Sequence, residues 1–327
     1  MFCYLEDVIR PLNSSPLVFE DDQEIASQEL FVGAKAAILS QLRMQHLPVP
    51  ELVVVTTLAF RRHLRDVGIA NDEALQLSPE GHPSIAVLAD RIKGTSVRPD
   101  LATVILKAYR GLRSAGRPQD WLAAVRSSSS AEDGRFASYA GQFETVLAVT
   151  EASLLDAVRL CWASSYSSRS VVYRGAMSNS QEPPKMAVII QRQVLATKAG
   201  VLFTAHPLSA DKTLAYVEAN FGTGESVVNG LVIPDAAVLS KNDLCTVDYT
   251  VGNKSVMTAA TPGPNGARLI QQPPDQVTAR VLTDAELRGL CELAITVESL
   301  LGSPQDIEWA IDEAGKPWIL QARPITA

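Results

Sequence analysis

Cysteine and histidine are scarce in this 327-residue sequence, and it has no long apolar run. The four cysteines, at positions 3, 161, 245 and 291, form no C-x-x-C pair, which argues against a zinc site or a disulfide framework. Reduced thiols are the ordinary state in the cytoplasm, so we expect a cytoplasmic protein. No apolar run approaches the roughly 20 residues of a membrane span, and the N-terminus has early acids in place of a signal peptide's basic segment. We therefore expect no membrane partner.

Basic residues are fewer than acidic ones, 29 against 36. The formal net charge is -7, which argues against nucleic acid as a partner, because nucleic-acid phosphates attract basic surfaces. With 46% apolar and 20% charged residues, the composition is that of an ordinary globular protein. The length allows one large domain or two lobes with a substantial buried core.

The last stretch of the sequence predicts a β-hairpin. Apolar runs at Ile307–Ile311 and Pro317–Leu320 flank a short polar turn. Side chains of a strand point alternately to its two faces, so Glu308 and Ala310 lie opposite the larger apolar side chains of the first run. On the second strand, the same alternation predicts one shared face for Ile319, Gln321 and Arg323.

In that register, Glu308, Gln321 and Arg323 share a face of the hairpin. A carboxylate, an amide oxygen and a guanidinium suit a hard cation that is itself bound to a phosphate. Mg²⁺ takes oxygen ligands from one or two protein groups together with substrate phosphates, and arginine donates a fork of hydrogen bonds to phosphate oxygens. The alternative is a surface hairpin with a single ion pair, and the residue chemistry alone does not separate the two.

A helix is predicted from Gly33 through residues 34–42, which are rich in good helix formers. Lys35 stands at its start, where outward-pointing N–H groups and the helix dipole favour an anion. These features indicate a phosphate site. A lysine near a helix start is more often only solvated, so that alternative stays open from this stretch alone.

A strand predicted at Leu122–Val125 leads through Arg126 into four serines, Ser127–Ser130, followed by acids and Gly141. Small hydroxyl residues and glycine let a backbone approach phosphates closely, and an arginine at the strand end can meet the same phosphates. A flexible serine-rich linker is the alternative. We favour the phosphate site because aromatic residues resume at once, at Phe136, Tyr139 and Phe143.

Further elements are predicted from the apolar pattern. Met186–Gln191 is predicted as a buried strand. In nucleotide-binding folds, the backbone of the segment after such a strand can form hydrogen bonds with the edge of an adenine. A glycine-rich turn at residues 220–226 leads into a short helix, which is a weak signal for a phosphate. Residues 258–274 are predicted as a loop rich in proline and glycine. Thr283–Leu301 is predicted as an amphipathic helix with Gly302 at its end.

Three groups of motifs occur in one order along the chain. They are V-R-S-S with A-E-D and A-G-Q-F-E-T from Val125 to Thr145, G-V-L-F-T with N-F-G-T-G-E between Gly200 and Glu225, and D-I-E-W with I-L-Q-A-R-P between Asp306 and Pro324. Together they resemble the ATP-binding domain of phosphoenolpyruvate synthase and pyruvate phosphate dikinase, which rifampin phosphotransferase shares. The resemblance spans roughly residues 30–325. It implies an α+β protein with an ATP-grasp fold, in which ATP lies in the cleft between two lobes, residues 1–190 and 191–327.

The resemblance also implies roles for individual residues. Lys35 and Arg126 would contact the ATP phosphates, and Arg323 would meet the phosphate being transferred, so these three are the predicted catalytic residues. Glu308 and Gln321 would hold Mg²⁺. The residues expected to bind the rest of the nucleotide are Gln191, Gln193 and Val194 at the adenine, and Glu218 or Glu225 near the ribose or the loop that closes over it.

The sequence departs from the family pattern in two ways. Where the family usually has Gly-Gly-Lys-Gly, this chain has Gly33-Ala34-Lys35-Ala36, which keeps the lysine and loses two glycines. In the family, a histidine on a separate swivelling domain carries the phosphoryl group to a distant acceptor. The sequence ends four residues after Arg323, and no histidine has the Gly/Thr/Ser-rich context of that carrier, so we expect no phosphohistidine domain within it. We favour a structural role for His206; the other histidines are His46, His63 and His82.

Three functions are compatible with these observations. The first is an ATP-dependent, dikinase-type phosphotransferase component that uses Mg²⁺, passes a phosphoryl group through a phosphohistidine carrier outside this sequence to a small-molecule acceptor, and releases AMP. The second is a self-sufficient ATP-grasp kinase or ligase that acts directly on a small molecule and releases ADP. The third is a non-catalytic nucleotide sensor, the least favoured because the key polar residues are all present. The sequence does not identify the acceptor.

Overall fold

Two antiparallel sheets form the framework of the protein in the computed structural model, which describes residues 16–69, 85–114, 121–129, 144–167, 185–260 and 267–325. Helices cover both sheets. The mixture of separate helices and antiparallel strands confirms the predicted α+β class.

The first sheet comes from the N-terminal part of the chain. Its strands are β1 (Val18–Phe19), β2 (Leu52–Val55), β3 (Ala123–Ser128), β4 (Thr145–Val149) and β5 (Ala187–Arg192). They lie in the order β1-β2-β5-β3-β4, and each neighbouring pair is antiparallel. Strands β2 and β5 are almost continuously apolar because both faces of this sheet are covered. The strand predicted at Met186–Gln191 is confirmed as β5.

The second sheet comes from the C-terminal part. The strands from residue 196 onwards are β6 (Ala196–Phe203), β7 (Leu214–Phe221), β8 (Asp235–Ser240), β9 (Thr246–Thr250), β10 (Val256–Ala260), β11 (Ala267–Gln271), β12 (Gln305–Asp312) and β13 (Pro317–Pro324). Six of them form the second sheet, in the order β13-β12-β6-β7-β8-β9, while β10 and β11 form a separate two-stranded sheet. The loop predicted at residues 258–274 is therefore wrong for part of its length, because local polarity did not reveal this two-stranded pairing.

The helices pack on the faces of these sheets. They are α1 (Asp22–Ser27), α2 (Glu29–Val32), α3 (Ala34–Met44), α4 (Thr57–Asp66), α5 (Ile85–Gly94), α6 (Pro99–Ser114), α7 (Leu154–Ser164), α8 (Glu225–Val228), α9 (Pro274–Val277) and α10 (Asp284–Leu301), with a 3₁₀ turn at Glu151–Ser153. Side chains of α4–α7 cover one face of the first sheet. Among the helices in the described ranges, none combines the length and the apolar character that crossing a bilayer requires.

Helix α10 shows the predicted start and stop signals. The Thr283 hydroxyl accepts the N–H of Glu286, and the Glu286 carboxylate accepts the N–H of Thr283 at 2.8 Å, which forms a capping box. Gly302 ends the helix with φ 74°, a left-handed conformation that glycine adopts without a Cβ clash. The helix packs on the second sheet through Leu287, Leu290, Cys291, Ala294 and Val297.

Helix α3 lies between the two sheets and contributes to a core that both share. Leu39 and Leu42 belong to one hydrophobic cluster that contains Ile189 of the first sheet and Ile319 of the second. Close by, the N–H of Ile319 donates to the carbonyl of Pro48 at 2.8 Å. The lobe border proposed between residues 190 and 191 stays a prediction, and strand β5 runs across that position.

A β-bulge shapes the closing hairpin. Glu308 pairs with Gln321 on the face predicted for both, and a register shift between Glu308 and Trp309 makes Trp309 pair with Ile319. Ile319 is fully buried in the core, on the face away from Gln321. The shared face predicted for Ile319, Gln321 and Arg323 is therefore wrong for Ile319, because the extra residue at the bulge reverses the alternation.

Candidate functional site

A cavity of about 540 Å³ lies between the two sheets, a volume ordinary for a small-molecule site. Ten residues are predicted to form the site, and nine of them line this cavity. The nine are Lys35, Arg126, Gln191, Gln193, Val194, Glu225, Glu308, Gln321 and Arg323. Glu218 does not line the cavity. Sequence segments separated by almost 290 residues (Lys35 to Arg323) therefore converge on one space.

Arg126 joins the two sheets at this cavity. Strand β3 continues through Ser128, so Arg126 lies within the strand and not beyond its end as predicted. Its guanidinium donates to the Leu320 carbonyl at 2.6 Å, to Glu308 Oε2 at 2.5 Å and to Gln321 Oε1 at 3.0 Å. The side chain is almost fully buried. A charged group held by three acceptors in a buried position is strongly fixed in orientation.

Glu308 is kept ionised by neighbouring cations. Burial favours the protonated carboxyl, but the charges of Arg126 and Lys35, together with the hydrogen bond from Arg126, outweigh burial. They hold the pKa of Glu308 below the usual value for glutamate. The carboxylate is therefore negative at neutral pH, with the Gln321 amide directly opposite it across the hairpin.

The oxygen atoms of Glu308 and Gln321 fit a Mg²⁺ site that substrate phosphates would complete. An ionised carboxylate and an amide oxygen, side by side on a rigid hairpin, are the small protein contribution that Mg²⁺ usually takes. Within the residues that the structure describes, no group of three or more His, Cys, Asp or Glu side chains could hold a metal ion. Glu308 and Gln321 would supply only part of the oxygen ligands of Mg²⁺ and would leave the remaining positions to phosphates and water.

Lys35 occupies the start of helix α3 as predicted. It is buried, and its ammonium group donates to the Ser127 carbonyl at 3.3 Å. The N–H of Ala36 in the same helical turn donates to the Ser128 hydroxyl at 3.2 Å. Part of the helix start that was predicted to face an anion is therefore already bonded to strand β3.

Arg323 is paired with an acid directly opposite it on the hairpin. Its Nε and Nη2 both donate to Asp306 Oδ2, at 2.9 and 2.5 Å. Burial raises the pKa of Asp306, and the charge of Arg323 offsets only part of that effect. The pair fixes one edge of the guanidinium beside the cavity.

The connector after β5 forms the other end of the cavity. Gln191 is 2% exposed, and its Nε2 has no hydrogen-bond partner among the described residues. Gln193 is held in place because its Oε1 accepts the N–H of Ala148 at 3.0 Å. Val194 packs in a small apolar cluster with Ala199, Ala310 and Trp318. An apolar surface with a buried amide donor suits a flat heteroaromatic group.

The two acids proposed near a ribose are separated by the fold. Glu225 begins helix α8 and lines the cavity, where burial raises the pKa of its carboxyl. Glu218 lies on β7, two strands away from Glu308 on the same face, or roughly 10 Å at ordinary strand spacing. Its carboxylate accepts the Tyr216 hydroxyl at 3.3 Å. Glu218 therefore lies outside the cavity lining and Glu225 within it, and a role for either acid near a ribose stays a prediction.

Two other predictions concern residues elsewhere. The A-E-D and A-G-Q-F segments at residues 131–143 lie outside the described residues. His206 lies in a turn after β6, where its Nδ1 accepts the N–H groups of Leu208 and Ser209, both at 3.3 Å, and its ring meets the edge of Tyr216. These contacts are those of a residue that stabilises a turn.

Three groups that hold the site residues in place were not predicted from the sequence. Ser128 bonds the helix that carries Lys35, the Leu320 carbonyl binds Arg126, and Asp306 orients Arg323. The position of Asp306 opposite Arg323 could have been found from the hairpin register. The other two depend on contacts between distant segments and leave no local signal.

Comparison with known proteins identifies relatives along most of the chain. Residues 29–327 match the family described as pyruvate phosphate dikinase, AMP/ATP-binding domain. A probable phosphoenolpyruvate synthase of Methanothermobacter thermautotrophicus is 35% identical over 90% of this chain and 44% of its own length. A rifampicin phosphotransferase of Streptomyces sviceus is 37% identical over 94% of this chain and 35% of its own length. The chain thus spans less than half of the length of either relative.

Solved structures give only a distant likeness. The VanG D-Ala:D-Ser ligase from Enterococcus faecalis has a TM-score of 0.36 and 10% identity, covering 94% of this chain and 55% of its own. The D-alanine-D-alanine ligase from Coxiella burnetii has a TM-score of 0.33 and 9% identity, covering 93% of this chain and 54% of its own.

Proposed function

Because the chain belongs to the pyruvate phosphate dikinase AMP/ATP-binding domain family, we propose that it is the nucleotide-using part of a dikinase-type phosphotransferase with an ATP-grasp fold. It binds ATP in the cavity between the two sheets and releases AMP, and the γ-phosphoryl group passes to water and leaves as inorganic phosphate. The β-phosphoryl group passes to a small-molecule acceptor by way of a phosphohistidine carrier that is a separate protein or a segment outside this sequence.

One observation carries this proposal: three buried or half-buried cations and two metal-ligand candidates, from helix α3 and both sheets, surround one cavity. Lys35 and Arg126 come from the N-terminal part of the chain, whereas Glu308, Gln321 and Arg323 come from the closing hairpin. A triphosphate is the kind of ligand that such a set of charges would neutralise.

Phosphoryl transfer requires little covalent chemistry from a protein, so these residues act by position and charge. Lys35 and Arg126 hold the phosphate chain, and Arg323, steadied by Asp306, balances the charge of the group being transferred. Glu308 and Gln321 would hold Mg²⁺, which supplies further positive charge when bound. Gln191, Gln193 and Val194 bind the adenine, and Glu225 faces the ribose, while exclusion of water between the sheets strengthens each interaction.

The test is a ³¹P NMR time course of the chain with ATP and Mg²⁺, run with and without a phosphohistidine carrier domain taken from a rifampicin phosphotransferase relative. Wild type is compared with Glu308→Ala and with Glu218→Ala, an acid-to-alanine change on the same sheet face outside the cavity. We expect AMP to form only with the carrier, to be lost in Glu308→Ala, and to persist in Glu218→Ala.

Three results would contradict the proposal. ADP as the product would identify a kinase or ligase that acts on its acceptor directly. Intact ATP in the presence of the carrier and of candidate acceptors would contradict transfer. Failure of the wild-type chain to bind ATP would contradict a nucleotide site.

A further inference from the structure

We infer that Ser128 is a positioning residue that locks the helix bearing Lys35 to the strand bearing Arg126. The inference rests on the proposed function, because it concerns how two phosphate-binding cations are held relative to each other. Ser128 is not part of the cavity lining, so it does not contact the nucleotide or the metal directly. It acts through helix α3 and strand β3.

The hydroxyl of Ser128 acts as the N-cap of helix α3 from 92 residues away. An N-cap side chain normally accepts the second or third backbone N–H of its own helix. Helix α3 begins after Gly33, which has no side chain to do this. Instead the N–H of Ala36, the third helical residue, donates to Ser128 Oγ at 3.2 Å.

The helix start and the strand end are also in direct steric contact. A Cβ atom added to Gly33 would lie 2.4 Å from Ser128 Oγ and 2.7 Å from its carbonyl oxygen. Such distances are too short for any side chain, so Gly33 lets the helix approach the strand this closely. Ser128 itself is fully buried. The contact therefore excludes water, and its hydrogen bond has no solvent competitor.

The same strand sets the positions of both cations. Ser128 follows Arg126 by two residues, so their side chains share the strand face that points to the cavity and to helix α3. Between them, the Ser127 carbonyl accepts the Lys35 ammonium at 3.3 Å. Loss of the Ser128 hydroxyl would loosen the helix start and, with it, the spacing between Lys35 and Arg126.

The test measures binding of two ligands that differ only in phosphate. Dissociation constants for ATP and for adenosine are determined by calorimetry for wild type, for Ser128→Ala and for Ser40→Ala. Ser40 is the matched control because it is a fully buried serine of the same helix whose hydroxyl has no partner among the described residues. A residue that merely stabilises the fold would not change the ratio of the two constants.

We expect Ser128→Ala to weaken ATP binding about 10-fold, which is the size expected for the loss of one buried capping hydrogen bond. Adenosine binding should change less than about twofold. Ser40→Ala should leave both constants near wild type. Equal weakening of ATP and adenosine, or no change in either, would overturn the role of Ser128. No ATP binding by wild type would instead refute the proposed function.

A second variant keeps the inference testable if Ser128→Ala does not fold. Ser128→Cys keeps nearly the same volume but provides only a weak acceptor. If it folds with a wild-type melting temperature, the inference requires the same selective loss of ATP affinity. A Ser128→Cys protein with unchanged ATP affinity would overturn the inference even if the alanine variant could not be purified.

Discussion

The guanidinium of Arg192 stacks over the indole ring of Trp318, with 4.6 Å between its central carbon and the ring centroid. Arg192 ends strand β5 of the first sheet, and Trp318 lies on β13 of the second. Glu51 orients the arginine by accepting its Nε–H at 2.6 Å. Beside the cavity, the sheets are thus joined by this pair as well as by the contacts of Arg126.

Removing the positive charge of Arg192 at this junction should lower the stability of the folded protein. We expect Arg192→Gln to lower the free energy of unfolding by about 1–2 kcal/mol, because both the cation–π contact and the orienting carboxylate are lost. Lys316→Gln is the matched control, since Lys316 lies over the same ring at 3.8 Å but is exposed and belongs to the same hairpin. Its loss should cost less than about 0.5 kcal/mol. Urea titrations measure both variants. A loss of unfolding free energy for Arg192→Gln no larger than that for Lys316→Gln would contradict the stabilising role of this junction.

Gly33→Ala should be far more damaging than an alanine at another glycine with a similar positive φ. Gly33 has φ 78° and Gly68 has φ 76°, but nothing lies within 4 Å of a Cβ added to Gly68. We expect Gly68→Ala to cost about 1 kcal/mol from its backbone alone. Gly33→Ala should cost at least about 2 kcal/mol more, because its methyl group would overlap Ser128. Thermal unfolding of both variants checks the difference, and similar melting temperatures would contradict the close contact.

Asp235 is a buried acid far more costly to alter than a surface one. It accepts hydrogen bonds from Lys254 at 2.5 Å, from Tyr249 at 2.6 Å and from the N–H groups of Gly252 and Val281. Because Lys254 is fully buried, Asp235→Asn leaves its charge uncompensated and should cost about 3–5 kcal/mol.

The control for that variant is Asp284→Asn, which breaks the exposed ion pair with Arg280. We expect it to change the free energy of unfolding by less than about 1 kcal/mol. Guanidinium titration of both variants makes the comparison. A loss below about 1 kcal/mol for Asp235→Asn would contradict the cost of leaving the buried Lys254 without its carboxylate partner.

The buried ring of His63 should make the fold sensitive to mild acid. Burial lowers the pKa of His63, and the hydrogen bond with the Ile92 carbonyl offsets this only in part. As the pH falls below the ordinary value of 6.5, the unfolded chain therefore takes up the proton before the folded chain does. The stability associated with the neutral ring is present above that pH and is lost as the pH falls towards the folded-state pKa.

His63→Phe tests this directly, because it keeps a ring stacked on Trp162, which lies 5.0 Å from the imidazole centroid. We expect the wild type to lose stability between pH 7.5 and pH 5.5 and the variant to lose less. The readout is the free energy of unfolding at each pH. The same slope in both proteins would assign the acid sensitivity to other groups.

The face that Glu308 shares with Gln321 and Arg323 was predictable from the alternation of side chains along each strand. Glu308 does face Gln321, and Asp306 faces Arg323. The bulge that turns Ile319 to the core was not predictable, since it depends on how β13 meets its neighbours. The lengths of β3 and of the two-stranded pair β10-β11 were missed for the same reason: pairing partners decide where such strands end.

The site residues that were anticipated share one property: each stands within a recognisable local pattern. Lys35 begins a helix, and Arg126 follows an apolar run. Ser128 was seen only as one of several serines, because its partner at Ala36 is 92 residues away. Glu218 and Glu225 looked equivalent in sequence, and only the course of β7 and the turn after it separates them.

The placement of helix α3 has a thermodynamic consequence. Its side chains join both sheets in one continuous hydrophobic cluster, so neither sheet keeps a complete core if the other is lost. The two halves should therefore melt together in a single calorimetric peak, with the calorimetric enthalpy of unfolding equal to the van't Hoff enthalpy. Two resolved transitions would mean that each sheet is stable without the helix between them.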